Sequence, residues 1–288
     1  MNYITRYFVR TLKQLPTSLR LKIRMLINQI FKDKHLPDNL DADFRVRFVD
    51  LPEIIDSWVG KDIHLPSAKI LDFGCGEGIT ALGMVLRKQV PRLMGVDIMP
   101  DVEQCLSRSK QNLGIETLPG NLKLQRIAPG ADFATGETFD LIYSWSVFEH
   151  VEQTLMPKVL RQLHNKLSKK GYFFVQIAPL YYSFEGSHLF HRIPEPWGHL
   201  LNQQSIYYAK LCQACHSKEE VDALWSCYQW LNQITASQLK LEIERAGFRV
   251  KREYVTQSQH KPPKQLQEIF NEEVLRTHQV VYLCQPAT

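Results

Sequence analysis

The sequence predicts a doubly wound α/β sheet of seven strands. Two observations carry that expectation: short apolar runs alternate with helix-period stretches from Lys69 onward, and a glycine-rich turn links the first strand to its helix. Residues 69–73 form the first strand, 79–87 its helix and 92–96 the second strand. A helix over 102–112 leads to a third strand at 122–127 and a fourth at 139–144. The next helix, 155–167, is ended by Ser168, Lys169, Lys170 and Gly171, and 172–178 is the fifth strand. Thr235 caps a helix through 244 that stops at Ala246 and Gly247, and 248–255 is the sixth strand. Pro262 and Pro263 open a further helix, and 280–284 closes the chain as the seventh strand.

Residues 179–233 break this rhythm. Aromatic, His and Pro residues come first and a mostly helical stretch follows, so an insertion at the end of a strand is expected to act as a substrate cap. The chain then divides into a basic amphipathic extension at 1–38, a catalytic domain at 39–178 and 234–288, and the cap between its two parts.

Composition narrows the function. Of 288 residues, 44% are hydrophobic and 23% charged, which is ordinary globular usage and excludes wholesale disorder. No apolar stretch reaches the roughly 18 residues of a membrane-spanning helix. Six cysteines without a signal-peptide pattern imply free thiols and a cytoplasmic setting. The net charge of +5 is unevenly spread, since residues 1–34 hold eight basic groups against Asp33 alone and the remainder is slightly acidic. A nucleic-acid groove across the main body therefore has no electrostatic support. Ile4, Tyr7, Phe8, Leu12 and Leu15, then Leu19, Ile23, Leu26, Ile27 and Ile30, trace two amphipathic helices in the extension. Three uses stay open for it: packing on the domain, peripheral contact with an anionic membrane, or organelle targeting.

The sharpest local signal is Asp72, Phe73, Gly74, Cys75, Gly76, Glu77, Gly78 after an apolar strand, with Asp97 nineteen residues beyond Gly78. Glycines permit a tight turn and let a ligand lie on bare backbone, the helix start offers free N–H groups, and an acid at the end of the second strand can accept ribose hydroxyls. Ile79 occupies the place of the third glycine of a dinucleotide fingerprint, and Asp72 would repel a diphosphate. A cationic sulfonium amino acid suits the turn better than a nicotinamide dinucleotide.

These residues resemble the first motif of the class I S-adenosylmethionine-dependent methyltransferases, D-x-G-x-G-x-G, and Asp97 resembles the family's ribose-binding acid. Phe139 to Ser144 is similar to the family's fourth strand, Glu149, His150 and Val151 to its E-H-[VI] element, and Ala246, Gly247, Phe248 to the turn before strand six. The resemblance covers about 50–178 and 234–288. It implies a Rossmann-like fold, S-adenosylmethionine as cofactor, and cofactor contacts at Asp72, Gly74, Cys75, Gly76, Gly78, Asp97, Ile98, Ile127, Ala128 and Ser144. The acid often found after the third strand is missing here, where the chain reads Arg126, Ile127, Ala128, Pro129, with Asp132 displaced.

The expected activity is methyl transfer to a small-molecule or glycan acceptor at a hydroxyl oxygen, with His150, His188 and His191 as catalytic candidates. Tyr181, Tyr182, Arg192, Trp197 and His199 accompany them in the cap. A nicotinamide-dependent oxidoreductase and a non-catalytic module that keeps the fold are the alternatives. Cys212, Gln213, Ala214, Cys215, His216 spells a haem-attachment string in a chain with no export signal, and Cys212 and Cys215 make only an irregular zinc set with His188 and His191. No metal is expected.

Overall fold

The computed structural model describes residues 36–37 and 40–287. The expectations for the basic extension at 1–34 lie outside these residues. Seven strands form one sheet: β1 (Lys69–Phe73), β2 (Arg92–Asp97), β3 (Leu122–Arg126), β4 (Phe139–Trp145), β5 (Leu167–Ile177), β6 (Phe248–Gln257) and β7 (Thr277–Pro286). Their order is β3-β2-β1-β4-β5-β7-β6, with β7 antiparallel to both neighbours and the other pairings parallel. The order reverses beside β1, so the carboxyl ends of β1 and β4 open the crevice where such sheets bind ligands.

Helices cover both faces. α1 (Ala42–Arg45) runs through a π-helical turn, Val46–Asp50, into α2 (Leu51–Val59), and α3 (Ile79–Arg87) and α4 (Cys105–Leu113) follow. Phe44, Phe48, Ile55, Val59, Leu82 and Val85 pack with Ile70, Leu93, Leu141 and Phe174 on one face. On the other, Val159, Leu160 and Leu163 of α5 (Met156–Lys166) join Leu71, Val96, Ile142, Phe173 and Val175. Burial on both faces explains why the central strands read as unbroken apolar runs.

The insertion holds α6 (Gly198–Leu201), α7 (Gln204–Ala214) and α8 (Lys218–Gln229), and α9 (Ala236–Arg245) returns the chain to the sheet. Thr235 begins α9 with a complete capping box to Gln238, as its sequence suggests. Leu189, Ile193, Tyr207, Leu211 and Val221 give the insertion an apolar centre of its own. Phe184, Phe190 and Trp197 pack on Leu266 and Leu275, which belong to the short helices α10 (Lys264–Gln267) and α11 (Glu272–Arg276) before β7.

Several boundaries differ from expectation, β7 by three residues at its start, and three of the differences have a visible cause. β5 starts at Leu167, directly after α5, because Phe139 pairs with Leu167 while Leu141 pairs with Tyr172, and this register shift takes up the four polar or small residues between. The 102–112 helix opens as a 3-10 turn over Pro100–Gln104. The helix expected after Pro263 is two pieces, because Asn271 leaves the helical path and its side chain accepts the Glu273 N–H to start the second.

Candidate active site

β1 delivers the chain into the Gly74–Gly78 turn, and β2 holds that turn in place. The N–H groups of Gly74 and Cys75 both donate to the Val96 carbonyl, at 2.8 and 3.1 Å. Gly76 N–H donates to Asp97 Oδ2 at 2.7 Å, while Asp97 Oδ1 accepts the Met99 N–H at 2.8 Å. A carboxylate has about four lone-pair positions, so Asp97 keeps capacity for further donors. Gly74 and Gly76 have φ of +81° and +54°. The two do different things. A Cβ at Gly74 would lie 2.2 Å from Val147, so this glycine lets the turn after β4 close down. A Cβ at Gly76 would meet only Arg47 Nη1, 3.7 Å away, so here bare backbone faces open space. Cys75 is buried, and its sulfur would come within 3.0 Å of a Cβ at Gly95. It shapes the turn through its backbone and packing.

Charge is arranged around the turn. Tyr143 donates its hydroxyl to Asp72 Oδ2 at 2.8 Å. Burial pushes the Asp72 carboxyl up to about 8; the Tyr143 hydrogen bond pulls the other way and the Asp97 charge adds to the rise. Arg47 comes from the π-helical turn, with Nε 3.2 Å from Asp43 and Nη1 3.7 Å from Glu77. Arg108 approaches Glu77 from α4 at 3.5 Å. Sequence reasoning missed Arg47, which lies ahead of every motif; only the packing of α2 and the π-helical turn on α3 brings it to Gly76.

Ile98 is 42% exposed at the end of β2. Ile127 donates its N–H to the Asp97 carbonyl at 2.8 Å, and Ala128 is exposed beside it. Asp132 is turned away: Lys166 Nζ lies 2.8 Å from Oδ1, and that ammonium holds the carboxyl below its ordinary range. Ser144 is fully buried, and its hydroxyl finds no partner among the described residues.

The turn after β4 faces the insertion. Ser146 takes a φ of +52°, and its hydroxyl donates to Gln176 Oε1 at 3.0 Å. Four residues on, the His150 ring stands edge-on to His188, centroids 5.3 Å apart. One ring nitrogen of His188 bonds the Pro179 carbonyl at 3.2 Å. Burial lowers His150 to about 4; burial first and then the neighbouring His150 lower His188 to about 3. Both rings are neutral at pH 7. Glu149 is 2% exposed, neither carboxyl oxygen has a partner among the described residues, and burial pushes it up to about 8.

His150 and His188 are thus brought together; His191 is half-buried three residues further on. His199 bonds the Tyr181 carbonyl at 2.6 Å and Trp197 donates to the Tyr182 carbonyl at 3.1 Å, so both hold the insertion together. Two residues went unnoticed in the sequence. Cys227 on α8 places its sulfur within 4.8 Å of a nitrogen from each imidazole. Asn232 donates from Nδ2 to the carbonyls of Phe148 and Val151, both at 2.6 Å, and its own N–H donates to the Glu149 carbonyl at 2.8 Å. It ties the end of the insertion to the turn after β4.

The comparisons with known proteins agree with this geometry. Residues 45–253 match the family profile described as a methyltransferase domain. Among solved structures, an S-adenosylmethionine-dependent methyltransferase from Clostridium acetobutylicum superposes with a TM-score of 0.51 at 10% identity, covering 86% of this chain and 98% of that one. Magnesium protoporphyrin IX methyltransferase from Synechocystis, crystallised with S-adenosylhomocysteine, gives 0.51 at 13% identity, with 85% of each chain covered. No curated protein sequence matches the chain. Sheet order, turn and family match together define a class I methyltransferase. The chain belongs to the methyltransferase-domain family, and S-adenosylmethionine is its cofactor. The nicotinamide-dependent and non-catalytic alternatives are set aside. Open backbone at Gly76, a guanidinium beside it, an acid ending β2 and an exposed Ile98 fit that cofactor.

Proposed function

We propose that this protein transfers the methyl group of S-adenosylmethionine to a hydroxyl oxygen of a small molecule or glycan, received between the turn after β4 and residues 179–233 acting as a cap. In this reading Gly74, Cys75, Gly76 and Gly78 form the bed of the cofactor and Asp97 accepts its ribose hydroxyls. Ile98, Ile127 and Ala128 border the adenine side, whereas Ser144, expected among the cofactor contacts, is fully buried on β4 beside β5 and does not reach it. Asp72 answers the cofactor's ammonium group, and Arg47, which sequence reasoning did not reach, answers its carboxylate. The reaction is an in-line displacement: acceptor oxygen and methyl carbon form a bond, the carbon–sulfur bond breaks, and its electron pair leaves on a neutral thioether. The protein's first task is to hold the two atoms about 3 to 3.5 Å apart.

A hydroxyl must also lose its proton. The observation that carries the hydroxyl reading is the pair of buried imidazoles at His150 and His188, edge-on with centroids 5.3 Å apart and kept neutral by burial, the residue type most often used to take a hydroxyl proton. The test is mass spectrometry of small-molecule and glycan fractions incubated with the protein and S-adenosylmethionine, scoring methyl gain on oxygen. His150→Ala and His188→Ala are expected to lower turnover by about 100-fold or more, the usual range for general acid–base groups, while S-adenosylhomocysteine affinity stays within a few-fold. Methyl gain on nitrogen alone, with both variants fully active, would remove the hydroxyl acceptor. Arg47→Met should weaken S-adenosylhomocysteine about tenfold in calorimetric titration, in the range of one charge-assisted contact.

A further inference from the structure

We propose that His150, His188 and Cys227 form a three-ligand site for a divalent d-block cation, zinc by its ligand chemistry, with a fourth position open toward the acceptor. The three come from separate parts of the fold, the turn after β4, the start of the insertion and α8. Nevertheless one donor atom from each lies within 4.8 Å of the others. In tetrahedral zinc, bonds of about 2.0–2.1 Å to nitrogen and 2.3 Å to sulfur place neighbouring donors roughly 3.3 to 3.6 Å apart. The three donors therefore need to close by about an ångström, within the reach of side-chain rotation.

The surroundings are those of a ligand set. Histidines that hold metals almost always donate their second ring nitrogen to a carbonyl or carboxylate, which fixes the ring and leaves the lone pair on the other nitrogen. His188 makes that bond to the Pro179 carbonyl at 3.2 Å. It does so from a left-handed backbone, φ +62°, uncommon outside glycine though tolerated by histidine. Next to His150 in the chain stands Glu149, a fully enclosed carboxyl with no side-chain partner among the described residues.

Two nitrogens and one sulfur select a borderline-soft ion over magnesium or calcium, and three protein ligands with an open fourth position characterise catalytic zinc. This set replaces the one the sequence suggested. Cys212 is exposed on α7, and His188 faces His150 and Cys227. The ion's purpose rests on the hydroxyl-acceptor reading and changes how the proton leaves: with the His150 and His188 lone pairs on the ion, those rings no longer act as bases, and an alcohol bound at the fourth position is made more acidic, loses its proton to water, and attacks the methyl group through its oxygen as the carbon–sulfur bond breaks.

The test uses the full chain, stripped with a chelator and titrated with cobalt(II) and then zinc(II). One cobalt per chain is expected, with a near-ultraviolet sulfur-to-cobalt band that zinc abolishes. The band should survive in the Cys212→Ser, Cys215→Ser double variant and vanish in Cys227→Ser. Zinc affinity should fall by more than about 100-fold in Cys227→Ser and in His150→Gln, beyond the range set by loss of an outer-shell partner. A band that persists in Cys227→Ser overturns the site. No uptake by a protein that still methylates hydroxyls overturns the site and leaves the acceptor reading standing. Uptake by a protein that methylates only nitrogen keeps the ion and removes its assigned purpose.

Discussion

Around the glycine turn, polar groups answer one another: Asp97 accepts two backbone N–H groups, Asp72 takes the Tyr143 hydroxyl, and Glu77 lies between Arg47 and Arg108. Across the crevice, the turn after β4 holds a buried carboxyl with no partner among the described residues, and beside it two imidazoles that burial keeps neutral. The first half is a preorganised receptor, because its polar groups are already aimed and cost little to rearrange when a ligand arrives. The second half stores unsatisfied polarity, which folding tolerates where chemistry uses it. Cofactor binding and acceptor activation should accordingly be separable by mutation.

The largest effect is expected at the receptor's floor. Gly76→Val puts a branched side chain at φ +54° and into the open space beside Arg47 that the proposed reading gives to the cofactor's amino-acid end. S-adenosylhomocysteine affinity should drop by more than about 100-fold, roughly 3 kcal/mol, in calorimetric titration. Gly74→Val does different damage, since its side chain would collide with Val147, and the loss should appear first as a lower melting temperature. Unchanged affinity in both variants would mean that the cofactor does not lie on this backbone.

Asn232 tests whether the halves are coupled. Its amide donates to two carbonyls of the turn after β4, and its Oδ1 accepts the Ile234 N–H at 3.0 Å. Asn232→Ala leaves those groups without that partner and should cost about 2 kcal/mol of unfolding free energy in denaturant titration. S-adenosylhomocysteine affinity should move by less than a few-fold, because the amide touches nothing in the glycine turn. A loss of affinity matching the loss of stability would make the two halves one cooperative unit.

The same division explains what was legible in the sequence. The glycine turn, Asp97 and the seven strands rest on short-range rules: left-handed backbone needs glycine, parallel strands covered on both faces read as apolar runs, and the two acids stand at strand ends a fixed distance apart. The acceptor half follows no such rule. His150, His188, Cys227 and Asn232 are spread over more than eighty positions and meet only because the insertion folds back on the turn after β4. Spacing alone grouped His188 with Cys212 and Cys215, which lie nearer in the chain; α8 brings a different cysteine to it. Arg47 was hidden for a similar reason, since its partner Glu77 lies thirty residues on and the helix packing that joins them leaves no motif.

The smallest loss of cofactor affinity at neutral pH is expected at Asp72, and it probes the receptor's electrostatics. Burial raises its carboxyl from an ordinary value near 3.8 to about 8, so the ligand-free protein holds it protonated at neutral pH. A group raised on folding lends stability that is complete below about pH 4 and lost as pH climbs to about 8. The melting temperature of the ligand-free protein should fall across that window, and Asp72→Asn should flatten the slope. The cofactor's ammonium favours the carboxylate, so binding should expel up to one proton, visible in calorimetry as a heat that depends on the buffer's ionisation enthalpy. Affinity for S-adenosylhomocysteine should then rise about fivefold between pH 7 and 8 and level off above, with both effects absent in Asp72→Asn. Proton release that persists in the variant would assign the titration to another group and leave Asp72 as a partner of Tyr143 alone.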